Sequence, residues 1–177
     1  LLYQAFDWQP PKFIHLPLTL NKEGGKLSKR QGDVAVEDYR NTGYLPEALL
    51  NFSVLQGWHP KDDNEILSLD DMVNKFAYHD MGTSPAIFDI EKLDYFNGYY
   101  IRKMPLEDLT KLCLPFLANI KEKFSFAYIK KVVGLEQERM KKLSEAGELT
   151  KFFFADEIKY EPELLIWKKI SLGQVKA

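Results

Sequence analysis

Apolar side chains recur at spacings of four and three residues between positions 45 and 55, which is typical of one face of a helix. Leu45, Leu49 and Phe52 form the central stripe. Further apolar residues widen it: Leu50, Val54 and Leu55. Because most of the circumference is then apolar, the pattern predicts a buried, central helix.

Proline and glycine mark the limits of this helix and of a shorter one before it. Residues 36–41 are compatible with a helix, and Gly43 follows them where a left-handed helix end favours glycine. Pro46 occupies a typical first helical position, and Gly57 a typical stop. The pattern predicts a helix, a turn, and a second helix that ends by Gly57.

Extended and helical signals alternate up to residue 104. Residues 10–21, with two prolines and an alternating apolar pattern, predict a short extended segment. Ser68 is a predicted N-cap, since Asp70 and Asp71 follow it in the first turn. A second helix start is predicted at Asp89.

From Pro105 onward the pattern is helical with short interruptions. The predicted helices are residues 106–114, 126–133 and 135–145, ended by Pro115, Gly134 and Gly147, with a last segment after Pro162. The fold class expected is therefore mostly α, with a small mixed α/β segment around the basic residues 24–33. Residues 1–6 read as a helix already under way and the last residues keep an apolar face, so we expect a piece of a larger protein.

Composition narrows the possible partners. Lys and Arg number 24 against 26 Asp and Glu, a net charge of -2, so any polyanion must be met by local basic patches. No run approaches the roughly 20 apolar residues of a membrane span. The single cysteine, Cys113, excludes an internal disulfide and is predicted to be a buried structural thiol in a reduced compartment.

The basic loop, residues 24–33 with the sequence GGKLSKRQGD, is the main candidate for chemistry. Lys26 and Lys29 carry ammonium groups on flexible stems, which can follow the negative charge of a phosphate as it moves during a reaction. Ser28 adds a hydroxyl donor, and the two glycines allow the loop to close and open. A solvated surface turn explains the same composition. A basic targeting signal is disfavoured because acidic residues interrupt the charge.

The surrounding sequence decides between these interpretations. K-L-S-K-R at 26–30 resembles the K-M-S-K-S signature of class I aminoacyl-tRNA synthetases, in the form typical of glutamyl enzymes. Four further segments are similar to glutamyl-tRNA synthetases of bacterial and organellar type, in the family's order: PPKFIHLPL, GDVAVEDYRNTGYLPEALLNF, FDIEKLDYFNGYYIR and ERMKKLSE. The resemblance covers essentially the whole chain.

The resemblance implies ATP-dependent activation of glutamate and its transfer to the 3' end of tRNA(Glu). It makes Lys29 the principal catalytic residue, whose ammonium stabilises charge on the departing pyrophosphate, with Lys26 assisting. Ser28 and Arg30 complete the implied ATP-binding set, and Leu27 anchors the loop on an apolar surface. Mg²⁺ is expected with ATP, but no metal ligand is identified, and His15, His59 and His79 are assigned none.

The resemblance also implies two regions. Residues 1–104 would be the end of the catalytic core and a stem-contact α/β remnant, and residues 105–177 the start of an all-helical anticodon-binding cage. The H-x-G-H signature and the glutamate-binding residues would lie upstream of Leu1, so we expect the isolated 177 residues to be inactive. The intact enzyme is expected to be a monomer without membrane contact, in the bacterial cytoplasm or, alternatively, an organelle matrix.

Contacts with tRNA are expected from basic clusters, because lysine and arginine on phosphates supply most of the affinity for RNA. The candidates are Arg139, Lys141 and Lys142. Two alternatives to the ligase stay open: a non-catalytic tRNA-binding module, and the shorter paralogue that glutamylates a modified tRNA nucleoside. The helical half argues against the paralogue, which lacks an anticodon-binding region.

Overall fold

The computed structural model describes residues 1–27, 35–117 and 120–155, and these are mainly helical. The α-helices are α1 Leu2–Ala5, α2 Val36–Asn41, α3 Pro46–Val54, α4 Leu69–Lys75, α5 Ile90–Lys103, α6 Leu106–Cys113, α7 Ile120–Lys123, α8 Phe126–Glu136 and α9 Ala146–Thr150. Single 3-10 turns lie at Tyr78–Asp80, Leu114–Phe116, Leu143–Glu145 and Lys151–Phe154. The mostly α fold class is confirmed.

Within the described ranges, the two strands form one small parallel sheet. Strand β1, Thr19–Leu20, pairs with β2, Ala86–Ile87. Only these two residues of the predicted extended segment 10–21 are in a strand. Within the described ranges, none of the helices combines the length and the apolar character that crossing a bilayer requires.

Helix starts lie where the sequence predicts them. Ser68 Oγ accepts a hydrogen bond from the Asp71 N–H at 3.1 Å, and Asp71 Oδ2 accepts one from the Ser68 N–H at 3.1 Å, which closes a capping box before α4. Asp89 Oδ1 accepts from the Glu91 N–H at 3.0 Å and caps α5. Both predicted helix starts are confirmed. The sequence could predict them because each capping bond joins residues that are close along the chain.

We expect Ser68→Ala to lower the free energy of unfolding by about 1 kcal/mol, since the side chain satisfies an otherwise unpaired N–H of the first turn. Urea denaturation followed by circular dichroism measures the change. Ser53→Ala is the control, because Ser53 is exposed within α3 and caps nothing. Equal midpoints for the two variants would contradict the capping role.

Helix α3 is central but only partly enclosed. It begins at Pro46, as predicted, and it ends at Val54, before Gly57. Leu45 and Phe52 are buried, whereas Leu50 is 44% exposed. The prediction of a helix buried on most of its circumference is therefore wrong for the Leu50 side, because only one face packs on α5.

The predicted helix breaks at two glycines are wrong. Helix α8 continues through Gly134, where a Cβ would lie 3.0 Å from Leu106 Cδ2, so glycine here permits close packing on α6. Gly147 lies inside α9 and packs against the Phe116 carbonyl oxygen, 2.9 Å from the position of a Cβ. The predicted helix over 135–145 is replaced by the end of α8, a turn and a 3-10 turn.

The hydrophobic core runs without interruption across residue 104. Helices α3, α5, α6 and α8 contribute many of its largest buried side chains: Phe52, Leu93, Phe96, Ile101, Leu109, Ile129 and Val133. Cys113 is buried in this core, and burial raises the pKa of its thiol to about 12. The prediction of a buried thiol is confirmed.

Candidate functional site

A tight hairpin carries the chain into the basic loop. Leu20 and Lys26 form an antiparallel bridge, and the Asn21 N–H donates to the Gly25 carbonyl at 2.8 Å. Inside the turn, Asn21 Oδ1 accepts from the N–H groups of Glu23 at 3.1 Å and Gly25 at 2.8 Å. Gly24 has a φ of +81°, which glycine adopts at little cost.

This geometry assigns Asn21 a role that sequence reasoning missed. An asparagine followed within a few residues by glycines is a recognised turn signal, because its side chain can bond backbone N–H groups ahead of it. The two glycines were predicted to let the loop open and close. In the structure they build a hydrogen-bonded turn that precedes the rest of the loop.

The hairpin is fixed to the start of α5. Phe88 N–H donates to the Leu20 carbonyl at 2.8 Å, continuing the pairing between the strands. Lys22 Nζ lies 3.1 Å from Asp89 Oδ1 and 3.0 Å from Glu91 Oε1. These carboxylates raise the pKa of Lys22, and Lys22 in turn lowers the pKa of Asp89.

The predicted ATP-binding residues divide between described and undescribed positions. Lys26 is exposed at the end of the hairpin, whereas Ser28, Lys29 and Arg30 lie outside the described residues. The chain is described again at Ala35, whose N–H donates to Asp38 Oδ2 at 3.2 Å at the start of α2. The ATP roles therefore stay predictions.

A buried amide ties the other end of α2 to the C-terminal half of the chain. Asn97, on α5, accepts a hydrogen bond at Oδ1 from the Leu45 N–H at 2.8 Å. Its Nδ2 donates to the carbonyls of Gly43 at 3.3 Å and Lys141 at 2.6 Å. We call Asn97 with the backbone groups of these three residues the Asn97 junction.

The turn after α2 contacts the segment after α8 directly. Leu143 N–H donates to the Gly43 carbonyl at 3.0 Å, and Ser144 Oγ donates to the Thr42 carbonyl at 2.7 Å. Gly43 has a φ of +91°, as predicted for the end of α2. A Cβ at Gly43 would lie 2.6 Å from the Ser144 backbone nitrogen, so only glycine fits this approach.

The three predicted tRNA-binding cations lie in different environments. Arg139 Nη1 pairs with Glu136 Oε2 at 3.0 Å, and Lys142 is 29% exposed with its Nζ 3.7 Å from Asp94 Oδ1. Lys141 is exposed and has no carboxylate partner among the described residues. Their contact with tRNA stays a prediction, and Lys141 is the one of the three free to make a new ion pair within the described structure.

Asp94 also organises Tyr44 beside Lys142. The Tyr44 hydroxyl donates to Asp94, and Lys142 Nζ lies 5.8 Å from the centre of the Tyr44 ring. Burial, followed by the Asp94 hydrogen bond, raises the pKa of the Tyr44 hydroxyl far above its usual range. Lys142 therefore stabilises a half-buried carboxylate in this fold.

Metal ligands are not assembled in the described ranges, where no three His, Cys, Asp or Glu side chains are grouped to hold an ion. His15, His59 and His79 are all exposed. No described residue is therefore assigned to Mg²⁺.

Two family models match consecutive parts of the chain. The model of tRNA synthetases class I (E and Q), catalytic domain, matches residues 1–95. The model of an anticodon binding domain matches residues 108–176.

Proteins similar to this chain are longer than the chain itself. A glutamate–tRNA ligase of Dehalococcoides mccartyi is 40% identical over 176 residues, covering 97% of this chain and 36% of the relative. One of Roseiflexus castenholzii is 44% identical over 184 residues, covering 100% of this chain and 36% of the relative. This chain thus spans little more than a third of the length of these relatives.

Solved structures give the same result. The crystal structure of a glutamate tRNA ligase from Elizabethkingia meningosepticum in complex with its amino acid has a TM-score of 0.79 at 32% identity, over 95% of this chain and 38% of that one. The glutamate-tRNA synthetase of Elizabethkingia anophelis has a TM-score of 0.80 at 34% identity, over 92% of this chain and 36% of that one. The catalytic-domain model matches more than half of the residues of this chain, so the chain belongs to the class I tRNA synthetases of the E and Q family.

Proposed function

We propose that this chain forms part of a glutamate–tRNA ligase, which activates glutamate with ATP and transfers it to the 3' end of tRNA(Glu). The observation that carries the proposal is the similarity of the whole of this chain to part of such a ligase, with 44% identity over 100% of this chain. The basic loop supplies phosphate contacts, and the helical remainder supplies tRNA contacts. Glutamate binds to residues outside this chain.

In this proposal Lys29 stabilises the charge that develops on the phosphates and departing pyrophosphate, and Lys26 assists it. Ser28 and Arg30 donate hydrogen bonds to ATP. The position of Lys26 supports this arrangement, because the hairpin places it exposed at the entry to the loop. Mg²⁺ would accompany ATP through ligands outside the described residues.

The proposed division into regions falls between α5 and α6. Helix α5 ends at Lys103 and α6 begins at Leu106, so the boundary at 104 and 105 lies in the short link between them. The intact ligase would act as a monomer on tRNA(Glu) in the compartment of translation, the bacterial cytoplasm by this proposal.

The test uses the complete natural protein that carries this chain. We expect it to charge tRNA(Glu) with glutamate, and Lys29→Ala to slow glutamate-dependent ATP–pyrophosphate exchange about a hundredfold, as loss of one charge-stabilising donor does. Lys61→Ala is the control, since Lys61 is exposed and, among the described residues, its one ion pair is with Asp80, at 3.9 Å.

Each alternative has its own outcome. Binding of tRNA without any charging would favour a non-catalytic module. Transfer of glutamate to a modified nucleoside within tRNA, with the 3' end untouched, would favour the shorter paralogue. An unchanged exchange rate for Lys29→Ala would remove the catalytic role from that residue.

A further inference from the structure

The hairpin that leads into the basic loop has no buried residue of its own. All of residues 19–27 are described, and the most enclosed of them, such as Leu27, are only half-buried. Helix α5, by contrast, is fixed in the core by Leu93 and Phe96, which are fully buried. The position of the hairpin therefore depends more on its hydrogen bonds and ion pairs with the start of α5 than on core packing.

Lys22 makes the ion pairs of this attachment. Its Nζ lies 3.1 Å from Asp89 Oδ1 and 3.0 Å from Glu91 Oε1, and we call these three side chains the Lys22 clamp. Asp89 is also the cap of α5, so the clamp grips the first turn of a helix that is rigidly held. Beside the clamp, the Phe88 N–H donates to the Leu20 carbonyl at 2.8 Å. The clamp thus adds a side-chain attachment to a main-chain one.

A short hydrogen-bonded turn connects Lys22 to Lys26. Asn21 closes this turn, because its N–H donates to the Gly25 carbonyl at 2.8 Å and its Oδ1 accepts from the Gly25 N–H at 2.8 Å. Lys26 follows at once and is bridged to Leu20 across the hairpin. A displacement of Lys22 relative to α5 is therefore passed on to Lys26.

A contribution to stability does not account for the clamp. Lys22 is 48% exposed, and ion pairs at exposed positions add little to the free energy of unfolding. Lys111 also bridges two carboxylates, Glu107 at 3.3 Å and Asp108 at 3.4 Å, but all three lie within α6. The Lys22 clamp instead joins two elements that are distant along the chain, so its main effect is on their relative position.

We propose that Lys22 is a positioning residue for the ATP-dependent step and acts through Lys26, an inference that rests on the proposed function. Lys26 is exposed and pairs with no carboxylate of the described residues, which leaves its ammonium free to meet an anionic ligand. By holding the hairpin on α5, the clamp sets where this ammonium meets the phosphates of ATP. Lys22 itself stays engaged with its two carboxylates and does not contact ATP.

The clamp affects the transition state more than the binding of ATP. Stabilisation of developing charge depends steeply on placement, and a displacement of about 1 Å can slow a reaction by up to about a hundredfold. Binding of ATP in the ground state depends less on one well-placed ammonium. Loss of the clamp should therefore lower kcat while it leaves the KM for ATP nearly unchanged.

Lys22→Met in the complete natural protein tests the proposal, with kcat and the KM for ATP measured by glutamate-dependent ATP–pyrophosphate exchange in the presence of tRNA(Glu). We expect kcat to fall about three- to tenfold, the range that one or two exposed ion pairs can supply. The KM for ATP should change by less than about twofold. Lys22→Arg keeps both ion pairs and should restore the rate. Lys111→Met is the matched control, since it also removes a lysine with two carboxylate partners, and both constants should stay unchanged.

A double-mutant cycle shows whether Lys22 acts through Lys26. Lys26→Met alone should slow the exchange. Adding Lys22→Met to it should slow the exchange no further, because no ammonium is then left to position. A merely structural role for Lys22 would lower the denaturation midpoint and would reduce the rate by the same factor with or without Lys26.

The outcomes separate this inference from the proposed ligase. An unchanged kcat for Lys22→Met, an effect of Lys26→Met that adds fully to it, or an unchanged rate for Lys26→Met would each overturn the positioning role. Each of these results would leave the proposed ligase intact. Failure of the unmodified complete protein to charge tRNA(Glu) would overturn the proposed function and this inference with it.

Discussion

Gly43→Ala is expected to lower the free energy of unfolding by about 4 kcal/mol, the sum of left-handed backbone strain and overpacking. The φ of +91° disfavours any residue with a Cβ. In addition, the new methyl group would lie 2.6 Å from the Ser144 nitrogen and 2.8 Å from the Leu143 nitrogen. Both neighbours are backbone atoms, so relief requires the turn after α2 to separate from the segment after α8.

Separation would also break the hydrogen bonds that join the two segments, from Leu143 N–H to the Gly43 carbonyl and from Ser144 Oγ to the Thr42 carbonyl. Gly24→Ala is a matched control, because Gly24 has a similar φ of +81° but nothing within 4 Å of its Cβ position. We expect it to cost only about 1 to 2 kcal/mol of backbone strain. Urea denaturation of both variants measures the difference, and equal losses would show that the close approach to Ser144 contributes nothing.

The parts of the fold that sequence predicts are those decided by neighbours in the chain. Ser68 and Asp89 cap helices through residues two or three positions ahead, and Pro46 opens a helix by its own backbone. Gly134 and Gly147 carry the same local signal as a helix stop. They fail as stops because their role is set by Leu106 and Phe116, which are distant in sequence and close in space.

The sequence likewise predicts some parts of the candidate site and not others. The basic loop is found by its motif, and Lys26 lies at its entry, but the adjacent lysines 141 and 142 look equivalent in sequence. The structure separates them, because Asp94 draws Lys142 to a half-buried ion pair and leaves Lys141 exposed. Asn97 has no local signal at all, since its partners lie 52 and 44 residues away along the chain.

Asn97→Ala is expected to lower the free energy of unfolding by about 3 kcal/mol, because the Leu45 N–H and the Lys141 carbonyl lose their buried partner. Asn74→Ala is the surface control, since Asn74 is exposed on α4, and we expect it to stay within about 0.5 kcal/mol of the unmodified chain. Denaturation midpoints that coincide for Asn97→Ala and Asn74→Ala would contradict a structural role for the Asn97 junction.

Hydrogen exchange distinguishes loss of this junction from general loosening of the core. Asn51 is an equally buried asparagine, but it bonds to the Glu65 carbonyl at 2.9 Å and the Leu67 N–H at 3.0 Å. Asn51→Ala should therefore speed exchange near residue 67, whereas Asn97→Ala should speed it at Leu45 and Leu143. If both variants loosened the same amides, the Asn97 junction would have no separate part in holding the segment after α8 against α5.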